Sequence, residues 1–151
     1  MPRQMSPARE LEYEELHAFL DFYATHVSGI DPTNLIHPTN VGKLIVAEYG
    51  RAKALHGLQQ AVNDLVEDLS GQPLEYIKRL DAALRTCGIV TFSEVRRRYA
   101  SSYRRIMKRR KIRNETEYYL IAGVLADCST LAPNEERALL GQLVAQYEQG
   151  D

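Results

Sequence analysis

The chain has 151 residues, of which 44% are hydrophobic and 26% charged, and its formal net charge is −1. That length fits one domain, and the balance excludes a disordered or low-complexity chain. No run approaches the ~18 consecutive apolar residues of a membrane span, and Met1–Glu15 lacks the apolar stretch of a secretory signal, so neither is expected.

Almost every segment repeats its apolar residues at helical period, and none alternates as a strand would. The first helix is predicted from about Pro7 to Val27, with Ser6 as N-cap and Pro7 at the first helical position. Tyr13, Leu16, Leu20, Tyr23 and Val27 form its apolar seam, Leu11, Ala18 and Phe22 lie opposite, and Gly29 ends it. Ile30–Asn40, with Pro32 and Pro38, reads as the longest loop. Val41, Leu44, Glu48, Arg51, Leu55, Leu58, Val62, Leu65 and Leu69 then hold three–four spacing over four heptads, with Asn40 as the expected cap. Unbroken, this helix would span ~43 Å. Gly42, Gly50 and Gly57 each cost about 1 kcal/mol against Ala, and the polar pair Glu48 and Arg51 places a kink or break near Gly50.

Pro73 opens a shorter helix carrying Leu74, Ile77, Leu80, Ala83 and Leu84, ending at Cys87-Gly88. Thr91-Phe92-Ser93-Glu94 is a capping-box sequence that opens a basic helix, about 92–111. Asn114–Glu117 caps the next helix, with Tyr118, Ile121, Val124 and Leu125 inward. A last helix opens at Pro133, with Glu135 and Glu136 at the positive end of its dipole and Leu139, Leu140, Leu143, Val144 and Tyr147 inward. The expected fold is all-α, a single-domain bundle of five or six helices.

The basic helix is the sharpest functional signal. Ten of the nineteen Lys and Arg residues lie between Arg96 and Arg113, with no acid among them, so this segment's +10 is balanced by −11 elsewhere. At 100° per residue Val95, Tyr99, Tyr103 and Ile106 share one face, Arg97, Arg104, Lys108 and Lys111 lie nearly opposite, and Arg98, Arg105 and Arg109 fall on a flank. Such crowding repels at i,i+4. It calls for compensation, either by the acidic clusters Glu10–Glu15 and Asp64–Asp68 or by an anionic partner. Eight of the ten are Arg, the better residue for bidentate phosphate contact. A membrane surface is not expected, because the helix lacks an insertable apolar face. A helix-turn-helix is matched weakly: Glu94 stands where an apolar residue is wanted, and the arginines follow the base-reading end.

Catalytic motifs do not assemble. Glu14-x-x-His17 has metal-bundle spacing but no second copy to complete a site. His26, His37 and His56 share no ligand spacing, though His37 before Pro38 could sit in a loop pocket. No P-loop, dinucleotide-binding glycines, nucleophile elbow or zinc-protease helix is present. Cys87 and Cys128 belong to no CxxC or Cys/His cluster, which suits a reducing compartment and a cytoplasmic location.

These observations give a non-enzymatic interaction or regulatory protein with no metal or cofactor. It presents Arg97, Arg98, Arg104, Arg105, Lys108 and Lys111 to an anionic partner, either an acidic protein or, as the alternative, the phosphates of a nucleic acid. The long seam and two-faced first helix further suggest a homodimer.

Overall fold

A computed structural model of the protein describes residues 5–150. Those residues form eight α-helices and one π-helical turn, with no strand among them. All-α is therefore right. Five or six helices is too few, because two of the expected helices are each broken in the middle. The chain divides between Asp64 and Leu65 into two compact units.

In the first unit, α1 spans Pro7–Phe22 and continues as the π turn Tyr23–Val27, matching the length read from the seam. Ser6 caps it as expected, accepting from the Arg9 N–H at 3.3 Å, and Gly29 ends the run at φ +70°. The following loop is closely stitched. Asp31 and Asn34 bond the backbone N–H groups two residues on, and the Asn40 amide donates to the Pro32 and Asn34 carbonyls. Asn40 is thus a loop clamp and not the helix cap. That role falls to His37, with Pro38 at the first helical position of α2 (Pro38–Tyr49).

His37 is fully buried. Its Nδ1 accepts the Thr39 N–H at 3.2 Å, which places the ring proton on Nε2, 2.8 Å from Thr25 Oγ1. Both ring nitrogens are thus bonded, and the Asp21 carboxylate lies 3.8 Å from Nε2.

The four-heptad seam breaks at Gly50, whose φ of 88° only glycine adopts cheaply. α3 (Arg51–Asp68) follows at once. Arg51 is bonded to both Glu10 and Glu14 and lies 4.1 Å over the Tyr13 ring, while Gln59 donates to Glu12. The two halves of the seam have different fates. Leu55, Leu58 and Val62 on α3 are buried, whereas α2 buries none of its twelve residues.

In the second unit, α4 (Leu74–Thr86), α5 (Phe92–Tyr99) and α7 (Glu115–Ala126) pack on one another, and α8 (Asn134–Glu148) packs on α7. α6 (Ser101–Arg109) also lies on α7. The basic segment is therefore not one helix over 92–111. Ala100, at ψ 117°, breaks it into α5 and α6, and it ends at Arg110 in the left-handed region. Buried Ala100, Tyr103, Ile106 and Ile112 keep α6 and its exit turn docked. Among the described residues no helix is long and apolar enough to cross a membrane.

Candidate interface for an anionic partner

The ten basic residues divide by surroundings. Arg96 is 2% exposed, with its guanidinium 4.8 Å from the Phe92 ring centre. Its Nε and Nη2 have no hydrogen-bond partner among the described residues. Burial lowers its pKa to about 10, against the opposing charge of Asp81, so it stays protonated at neutral pH. Asp81 is itself buried, accepting from the Ser93 N–H at 3.0 Å and the Ser93 hydroxyl at 2.5 Å. Burial raises its pKa to about 6, despite those two bonds.

Arg97 and Arg98, both expected to face a partner, are drawn into internal ion pairs. Arg97 forks onto Glu136, with Nε to Oε2 at 2.5 Å and Nη2 to Oε1 at 3.0 Å, and its Nη1 also reaches Glu94 at 3.1 Å. The Tyr103 hydroxyl donates to the same Glu136 carboxylate at 2.6 Å. Arg98 donates to Glu94 at 2.8 Å. Arg97 holds the Glu136 carboxyl below the ordinary range, and burial with the Glu136 bond pushes the Tyr103 phenol up.

The buried Glu94 shows how closely this network is satisfied. Burial alone would raise its pKa, yet bonds from Arg98, Thr130 and the Leu131 N–H, with the Arg97 charge, hold it low. Thr91 caps α5 through the Glu94 N–H at 3.1 Å, which is the Thr half of the expected capping box; the returning bond from the Thr91 N–H to the Glu94 carboxylate is not made. The Glu94 carboxylate serves the arginines and Thr130. Arg109 is likewise internal, bonded to Glu117 and to the Lys111 carbonyl.

The remaining six, Arg104, Arg105, Lys108, Arg110, Lys111 and Arg113, are exposed and form no ion pair among the described residues. Of the acidic clusters expected to neutralise them, Glu10 and Glu14 pair with Arg51 inside the first unit. The neutralising acids are Glu94, Glu117 and Glu136, and they reach only Arg97, Arg98 and Arg109. Beside the exposed row lies a cleft of about 420 Å³ lined by Arg97, Arg98, Tyr103, Arg104, Met107 and Glu136. Arg104 is its exposed cation without an ion pair.

A second cleft, about 240 Å³, is lined by Lys78, Asp81, Arg85, Ala126 and Asp127. Asp127 accepts from Thr91 at 2.6 Å, Arg85 at 3.0 Å and Ser129, tying the ends of α4 and α7 to the start of α5. Those bonds hold its pKa low although burial opposes them. Asp81, the other carboxylate here, is fastened to Ser93 through both oxygens.

Glu14 pairs with Arg51 and His17 stacks on Tyr13 with ring centres 6.0 Å apart, so the Glu14-x-x-His17 pair has structural partners. Among the described residues no three His, Cys, Asp or Glu side chains gather as a metal site. The α4–α5 pair cannot read DNA as a helix-turn-helix does, because Phe92, Ser93 and Glu94 are all buried. Sequence reading missed Asp81 and Arg96 as buried charges. The signal was present: Asp81 follows Ile77 by four and precedes Leu84 by three, and Arg96 follows Phe92 by four.

Compared with protein families, curated proteins and solved structures, the chain finds no match.

Proposed function

We propose that this chain is a non-enzymatic interaction protein that presents the exposed face of α6 and its exit turn to an anionic partner. One observation carries the reading: six cations within ten residues stand exposed without ion pairs, while the arginines beside them are neutralised internally. A surface of this sort raises the local concentration of anions and speeds their encounter. Arg104, Arg105, Lys108 and Lys111 carry the contact. Arg97 and Arg98 brace the scaffold.

The test is retention of the full chain on immobilised heparin and on immobilised poly-glutamate at low salt. Salt should release the bound protein, and R104Q/R105Q/K108Q should elute earlier. Passage through both columns at low salt would end this reading.

Self-association, suggested by the apolar seam, rests on a separate observation. Val41, Leu44 and Tyr49 of α2, with Leu35 and Ile36 just before it, are 40–79% exposed. Sedimentation at tens of micromolar tests it, and a monomer there removes it.

A further inference from the structure

The exposed cations suit one class of anion better than others, and we infer that they grip the phosphate backbone of a double-stranded nucleic acid without reading its sequence. This rests on the proposed function above and names its partner.

The first argument is what the patch lacks. A protein interface of useful affinity needs apolar or aromatic anchors at its centre and is depleted in Lys. Of the eight large apolar side chains exposed among the described residues, seven lie before Gly50 and the eighth is Leu131. None stands on α5, α6 or the 110–113 turn. A surface that is polar, wet and strongly positive describes a nucleic-acid contact.

The second argument separates paired from single strands. Proteins that hold single strands stack bases on exposed aromatic rings. Tyr103 is buried with its hydroxyl on Glu136, and Tyr118 and Tyr119 are half-buried with theirs on Glu148 and Glu115. The one aromatic of α6 and the 110–113 turn is the buried Tyr103, so this patch itself offers charge and no exposed ring, which suits a backbone whose bases are already paired.

The third argument is preorganisation. Arg104 and Lys108 stand one turn apart, about 6 Å along a helix whose other face is buried. Beyond the helix the chain turns through Arg110 at φ 61°, ψ 40°, a conformation that a non-glycine residue adopts at a cost. The Arg109 guanidinium holds the turn, donating to the Lys111 carbonyl at 3.1 and 2.9 Å and to Glu117. One arginine thus fixes the turn that carries Arg110, Lys111 and Arg113. Four of the six exposed cations are Arg, the residue that forks onto phosphate oxygens.

The experiment is fluorescence anisotropy of the full chain with labelled 20-base-pair DNA duplexes of two unrelated sequences, an RNA duplex, and single-stranded DNA. A salt titration is run on each, with poly-glutamate as competitor. Both DNA sequences should bind equally, and more tightly than the single strand. Comparison of the two duplexes shows whether DNA or RNA is preferred. R104Q/R105Q/K108Q, with its melting temperature unchanged, should weaken binding and make the slope of log K against log salt shallower by about 2 to 3. K111Q/R113Q, outside α6, is the second variant and should lower the slope by about 2. Strong single-strand preference, sequence dependence, or full binding by both variants would overturn the inference. Retention on immobilised poly-glutamate with no binding to either duplex would overturn it too, but leave the anionic-partner reading standing. Binding to neither polymer would end both.

Discussion

Gly123 leaves open the space that the Arg96 guanidinium occupies: a Cβ built on Gly123 would lie 3.3 Å from Arg96 Nη2 and 3.2 Å from Ile77 Cγ2. A buried arginine on α5 is thus accommodated by the one residue of α7 that has no side chain. Ser93 Oγ, 3.4 Å from the same point, brings Asp81 into this arrangement.

Gly123→Ala should therefore destabilise the protein by about 1 kcal/mol, because overpacking here exceeds the gain in helix propensity. Gly141→Ala, in open space on α8, should instead stabilise it by up to about 1 kcal/mol. Thermal melts of the two variants should move in opposite directions. A rise in both would show that Arg96 and Ile77 yield freely.

Asp81 should make stability fall as pH rises. Its pKa goes from 3.8 unfolded to about 6 folded, so between those values the folded chain holds the extra proton. The stabilisation is complete below pH 4 and is lost through pH 6, by about 3 kcal/mol in all. Glu94, Asp127 and Glu136 act oppositely: their lowered folded values make their contribution full above the ordinary carboxylate range and lost as pH falls through it. Denaturant midpoints of the wild type and Asp81→Asn from pH 4 to 7 should converge at the acid end and separate toward pH 7, the variant being more stable there. Parallel profiles would refute the assignment.

Glu136→Gln should cost about 1–2 kcal/mol, since it leaves a partly buried Arg97 without its fork and weakens the Tyr103 bond. Tyr103→Phe should cost about 1 kcal/mol by losing that bond alone. Chemical denaturation of the double variant should give less than the sum of the singles, because both changes remove the same contact.

Arg110→Gly should raise stability by about 0.5–1 kcal/mol, the left-handed conformation being free to glycine. It should also weaken polyanion binding, having removed one exposed cation. Melting and anisotropy on the same preparation check both halves.

Periodicity, capping chemistry and glycine placement were enough to write the helical character of this chain into its sequence. Ser6, Thr91 and Asn114 cap where read, and Gly29 and Gly50 stop helices where read, because these effects act within a few residues. The same local signals misplaced the cap of α2, since His37 caps through a ring nitrogen and its other ring nitrogen is bonded to Thr25, twelve residues away. The continuity of the basic helix was also beyond them. Nothing in Tyr99-Ala100-Ser101 disfavours a helix, and the break at Ala100 accompanies the separate packing of α5 and α6 on α7. The charge run itself was plain in the sequence. Its division was not: the acids that neutralise Arg97, Arg98 and Arg109 include Glu136, thirty-nine residues from Arg97. Charges meet across folded distance, so only the tertiary structure decided which cations pair inside the protein and which six stand exposed without an ion pair.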